Sequence, residues 1–187
     1  MMKATLFVLF VGLLLVGCGG VAVDWSKLQD RNGIMYLPNE ETPFTGRAES
    51  FYENGQKKAE INYKDGKQDG LTTGWYENGQ ERSEGNYKDG EANGLMTGWH
   101  PNGQKWKEIS LKDDKPDGLE TEWYEDGQKM REGIYKDGKL MSAEVWKPNG
   151  EKCPVTNVKD GNGVVVKYNE DGTEKARDTY KDGKLVD

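Results

Sequence analysis

Histidine occurs once in this chain, at His100, and cysteine twice, at Cys18 and Cys153. So few soft donors leave no His or Cys cluster with metal-ligand spacing. There is also no serine nucleophile motif and no glycine loop of the kind that cradles phosphate. The sequence therefore reads as non-enzymatic, with no cofactor and no metal. The nearest approach to a calcium loop is Asp113-Asp114-Lys115-Pro116-Asp117-Gly118. Lysine stands at its third position, where an oxygen ligand is needed, and no terminal glutamate follows at the right distance. His100, beside Pro101-Asn102-Gly103, reads as an exposed turn side chain rather than a general base. Apolar residues make up 34% of the chain and charged residues 32%, a balance that would mean disorder without a regular pattern. The net charge of −7 makes nucleic acid and anionic membrane surfaces poor partners.

The regular pattern is a repeat. An aromatic residue opens each unit at Phe51, Trp75, Trp99, Trp123, Trp146 and Tyr168, with a period close to that of Trp75-Gly98. A turn pair follows at Asn54-Gly55, Asn78-Gly79, Asn102-Gly103, Asp126-Gly127, Asn149-Gly150 and Asp171-Gly172. Later in each unit comes a second large apolar residue: Tyr63, Tyr87, Leu111, Tyr135, Val158 and Tyr180. A second turn pair closes the unit at Asp65-Gly66, Asp89-Gly90, Asp137-Gly138, Asp160-Gly161 and Asp182-Gly183, while the third copy has Asp113-Asp114. A fixed period of this length governs every other reading of the chain.

Asn-Gly and Asp-Gly both accept the positive φ angles of a type I′ turn, so both sites are expected to be hairpin ends of that type. The segments between them are short, rich in Tyr, Trp and Thr, and show no helical periodicity. The expected fold is all-β: an elongated, single-layer antiparallel sheet of repeated β-hairpins. Strands lie about 4.8 Å apart, so equivalent residues of successive two-strand units form columns, and stability comes mainly from neighbouring units. Which face carries the Trp column depends on loop length, which the sequence leaves open. Pro154 removes a ladder donor, so the fifth unit is expected to have an edge or bulged strand there. Cys153 reads as a small apolar residue of the sheet or as an exposed thiol.

Residues 1–17 place Lys3 before the apolar run Leu6 to Val16, which is too short to cross a bilayer and reads as a signal peptide. Leu15-Val16-Gly17-Cys18 resembles a bacterial lipobox. That resemblance implies acylation of Cys18 and a lipid anchor in the cell envelope, and Gly19 in place of Asp favours the outer membrane or cell surface. Residues 18–31 then form a lipidated N-terminus and linker, with Trp25 and Leu28 as the first ordered apolar residues. Residues 32–187 form the repeat domain, with units near 32–50, 51–74, 75–98, 99–122, 123–145, 146–167 and 168–187. The first unit departs from the consensus, as an end cap should.

The pattern Gly85-Asn86-Tyr87-Lys88-Asp89-Gly90, Asn93-Gly94, Trp99 and Asn102-Gly103 resembles the MORN repeat and its bacterial variant. Pro43-Phe44-Thr45-Gly46 and the phrases YENGQ and YKDG resemble the YwqK-like antitoxins. This resemblance implies a binding or spacing module, or an antitoxin or immunity protein that neutralises a toxin. Two charge rows recur, Glu60, Glu84, Glu108 and Glu132, and Lys64, Lys88, Lys112, Lys136, Lys159 and Lys181. They read as one solvated face that keeps a one-layer sheet soluble and monomeric. Tyr76, Trp106 and Tyr124 are the candidate partner-binding aromatics, because Tyr and Trp are enriched in binding hot spots. Trp106 stands out, since most other copies carry Lys, Arg or Met in its place. The favoured reading is a membrane-anchored, non-enzymatic scaffold that binds a protein partner.

Overall fold

A computed structural model describes residues 22–186, so Cys18 and the leader segment lie outside the described residues. The described chain is all-β apart from one 3-10 turn at Trp25–Lys27. Its N-terminal strands are β1 (Val23–Asp24), β2 (Gln29–Arg31), β3 (Ile34–Tyr36) and β4 (Gly46–Phe51). The array continues through β5 (Lys57–Lys64), β6 (Lys67–Trp75), β7 (Glu81–Lys88) and β8 (Glu91–Trp99). Next come β9 (Lys105–Lys112), β10 (Lys115–Trp123), β11 (Lys129–Lys136) and β12 (Lys139–Val145). The chain ends in β13 (Gly163–Tyr168), β14 (Glu174–Lys181) and β15 (Lys184–Leu185). Strands β4 to β12 pair in chain order as one antiparallel sheet, with β1 added parallel to β4. The long sheet of consecutive hairpins is the architecture expected from the repeat.

The two turn sites turn out to be different structures. At the Asp-Gly sites both residues have positive φ, for example Asp65 at +49° and Gly66 at +78°, which makes the two-residue type I′ turn. The Asn-Gly sites do not fit that expectation. There the loop has five residues, Tyr52 to Gln56, and only Gly55 is left-handed, at +83°. Gly55 N–H donates to Tyr52 O at 2.9 Å and Tyr52 N–H to Gln56 O at 2.8 Å. Asn54 is used for its side chain, which accepts from Gln56 N–H at 2.9 Å. The same bonds recur at Tyr76, His100, Tyr124, Lys147 and Asn169.

Loop lengths of two and five residues fix which face each column occupies. Ala48, Ile61, Thr72, Gly85, Met96, Ile109, Glu120, Gly133 and Ala143 are cross-strand partners in sequence, and so line one face. We call this face one; it also carries Tyr63, Tyr87 and Tyr135. On face two, Glu49, Glu60, Thr73, Glu84, Thr97, Glu108, Thr121, Glu132 and Glu144 form the matching column. The Trp column belongs to face two, since Lys57, bound to Glu49 and Glu60, lies 5.5 Å from the Trp75 ring centroid.

Both ends of face one are covered. At the start, Phe44, Ala48 and Tyr63 pack with Val23, Leu28, Met35 and Leu37, so chain within the stretch read as a linker is part of the cap. Trp25 is half exposed, and its indole N–H reaches the Tyr63 hydroxyl at 3.2 Å. At the other end, the last units leave the sheet. Pro154 cuts the return strand of the fifth unit to a single bridge, Trp146 to Lys152, in line with the expected disruption. The chain then folds back, and β13, β14 and β15 make a separate three-stranded sheet. Leu140, Ala143, Val145, Cys153, Val158, Val165 and Val166 form a core between the layers. This local core replaces the uninterrupted single layer that the repeat implies for residues 146–187. Val165 and Val166 point to opposite faces of β13 and are both buried, which only a covered strand permits.

Candidate functional site

Unit-to-unit attachment uses residues that sequence alone offered as binding anchors. The Tyr76 hydroxyl donates to Trp99 O at 2.7 Å and the Tyr124 hydroxyl to Trp146 O at 2.9 Å. Tyr52 does the same to Trp75 O at 2.7 Å. Tyr76 and Tyr124 are therefore half-buried rather than exposed, because each phenol reaches back to the next unit's backbone. His100 occupies this position in its unit, with Nε2 3.4 Å from Trp123 O, so it too is partly buried and not a free turn side chain. Asparagines add a second tie: Asn54, Asn78 and Asn102 donate to Glu77 O, Pro101 O and Glu125 O at 3.2, 3.1 and 2.8 Å. Asp126 cannot donate, which leaves the next loop without this tie.

Trp106 is 42% exposed and lies on face one. It is the extra residue of the irregularity between Gly98 and Trp99, and its indole sits over Gly98. A Cβ at Gly98 would come within 2.3 Å of the indole nitrogen, so the glycine is what admits the ring. The structure places Trp106 and Tyr124 together beside one cavity, and leaves Tyr76 one unit away.

That cavity has a volume of about 430 Å³ and lies where the β13–β14 hairpin folds over face one. It adjoins a second of about 410 Å³ that reaches in toward Tyr135, Val145 and Tyr180. Glu122, Tyr124, Met130, Tyr168 and Lys175 line both. Beneath them is a charge cluster. Glu120, 3% exposed, is ion-paired to both Lys107 and Arg131, and Glu122 lies 3.2 Å from Lys107. Burial pushes the Glu120 carboxyl up, yet the hydrogen bond from Lys107 and the charges of Arg131 and Lys107 outweigh it and hold it below the usual range. Arg131 also donates to the Tyr135 hydroxyl at 2.9 Å. Neighbouring units carry Thr72 and Met96 where Glu120 stands, so the cluster is particular to this end.

Cys153 is buried and receives the Tyr168 hydroxyl at 3.0 Å. Burial pushes the thiol up, but bonds from Thr156 and Tyr168 leave it lower than usual, while Tyr168 is pushed up to about 12, first by that bond. The acids of the calcium-like loop are turned to protein donors: Asp113 Oδ1 accepts from Asn93 and Asp114 Oδ1 from Ala92 N–H. Among the described residues no group of three or more His, Cys, Asp or Glu side chains is placed to hold a metal ion.

Face two carries the glutamate row and Lys64, Lys88, Lys112 and Lys136, whereas Lys159 and Lys181 lie outside this sheet, and it carries something the sequence reading missed. Lys57, Lys105 and Lys129 pair with Glu60, Glu108 and Glu132, and Lys88 and Lys136 with Asp69 and Asp117. Between these pairs Leu71, Leu95, Leu119 and Ile134 are 40%, 51%, 48% and 51% exposed. The leucines recur one residue after the glycines Gly70, Gly94 and Gly118, a signal present in the sequence at the repeat period. No helix among the described residues is long and apolar enough to cross a membrane.

No curated protein matches the chain. The family described as MORN repeat variant matches it at residues 44–65, 68–89, 92–113 and 116–137. Each matched segment runs through one five-residue loop and ends at the following Asp-Gly or Asp-Asp turn. The hairpin array is thus built of four tandem MORN repeat variants.

Proposed function

We propose that the protein is a non-enzymatic binding scaffold that engages a protein partner along face two and is held to the cell envelope by a lipid on Cys18. The observation that carries the reading is the column of exposed Leu71, Leu95, Leu119 and Ile134. Leu71, Leu95 and Leu119 recur every second strand, roughly 9.6 Å apart, and Ile134 stands beside Leu119 on the next strand, so apolar side chains left in water offer a partner a row of anchor points. The flanking Lys–Glu pairs form a polar rim around them, an arrangement typical of protein-binding patches. Surface pairs of this kind add little stability, about 0–1 kcal/mol each, so their value lies in orientation and solubility.

The test is affinity capture from cells with the full-length chain beside a Leu95→Glu/Leu119→Glu form. A partner recovered by the first and lost by the second supports the scaffold. A small toxin-like protein encoded next to this gene, held equally by both forms, would favour an antitoxin acting through another surface. Radiolabelled palmitate incorporated by the wild type and not by Cys18→Ala tests the anchor.

A further inference from the structure

We infer that the cleft between face one and the β13–β14 hairpin is a binding site for a short, neutral oligosaccharide. It lies on the opposite face from the leucine column and does not depend on the scaffold reading. The cleft is preformed. Trp106 rests on Gly98, Tyr124 is tied to Trp146 O, and Tyr168 is tied to the Cys153 thiol at 3.0 Å. With both phenol protons given to the protein, the tyrosines offer a ligand their rings and their oxygens as acceptors, and fixed aromatic faces bind at little entropic cost.

Charge argues for a neutral ligand. Lys107 and Arg131 are matched by Glu120 and Glu122, and Lys167 by Asp178. The other ionic groups on the lining are of both signs, Lys175 against Glu170 and Glu125, the last of these 4.0 Å from His100 Nδ1. They present a hydrogen-bond donor and acceptors around an aromatic centre. A ligand with an apolar face to stack and a rim of hydroxyls that both give and accept hydrogen bonds satisfies that lining, and a pyranose ring is such a group. Two adjoining cavities of about 410 and 430 Å³ make the site longer than one sugar ring.

The test is saturation-transfer NMR on the intact protein with three probes: the tetramer of N-acetylglucosamine, cellotetraose and maltotetraose. Transfer to at least one of them is expected, falling tenfold or more in Trp106→Ala, partly retained in Trp106→Phe and unchanged in Leu95→Glu. Trp106 is exposed enough that its removal leaves the fold intact, which circular dichroism checks. Absence of transfer from all three, or binding that survives Trp106→Ala, overturns the proposal. Displacement of the sugar from the cleft by a lysine-rich or glutamate-rich peptide of higher affinity would overturn it as well.

Discussion

The Asp113-Asp114 turn, third among those that close the units, is the place where the repeat breaks its own rule. Five of these turns place glycine second, at φ between +76° and +95°, whereas here Asp114 takes φ +62°. A non-glycine residue in that region costs about 1–2 kcal/mol. Asp114 offsets the strain with its side chain, whose Oδ1 accepts Ala92 N–H at 2.7 Å. A hydrogen bond to a charged acceptor contributes about 1.5–3 kcal/mol. The equivalent of Ala92 in the next unit is Pro116, which has no N–H, and there the turn returns to Asp137-Gly138. Asp114→Gly removes the strain and the bond together, so its stability should stay within about 1 kcal/mol of the wild type. Asp114→Ala keeps the strain and loses the bond, and should cost about 1.5–3 kcal/mol. Urea unfolding followed by tryptophan fluorescence, comparing both midpoint and slope, measures the pair. Asp114→Ala as stable as Asp114→Gly would refute the compensation.

Gly98→Ala should destabilise by about 1–3 kcal/mol, because a rigid indole cannot step aside, and it should raise the exposure of Trp106 as read by fluorescence quenching. Gly85→Ala meets Met96, whose methyl and Cγ would lie 2.7 and 2.9 Å away, but an unbranched thioether can change rotamer where an indole cannot, so it should cost less in the same unfolding assay. Tyr124→Phe deletes one inter-unit bond and should cost about 0.5–1.5 kcal/mol by thermal or urea unfolding. Glu120 has a folded pKa below its ordinary value, so its contribution is complete above the unfolded pKa, near 4.3, and is lost as pH falls through the folded value. Acid unfolding monitored by circular dichroism should show this loss in the wild type, and a flatter acid limb in Glu120→Gln.

The hairpins were legible because each depends on local chemistry: Asp65-Gly66 and its equivalents encode their turn within two residues. Asn54-Gly55 misleads for the same reason, since asparagine tolerates positive φ but is placed here for its amide. Tyr76 and Tyr124 looked exposed because their acceptor lies a full unit away, beyond the reach of strand alternation. The second sheet depends on residues far apart in sequence, Leu140 with Val165 and Val166, although the continuous run Val164-Val165-Val166 carried the mark of a strand buried on both faces. Glu120 was hidden by the same distance effect, its cationic partners coming from the strands on either side. Leu71, Leu95 and Leu119 were visible at the repeat period, but apolar residues in a strand are ordinarily read as core.

In the proposed function a partner engages the array through face two. Methyl-resolved NMR of the chain titrated with its captured partner tests it directly. Shifts are expected to concentrate on the methyls of Leu71, Leu95, Leu119 and Ile134, with Ile61, Ile109 and Val165 of face one and the core unmoved. Shifts confined to Ile61, Ile109 or Val165, with the leucine column silent, would contradict it.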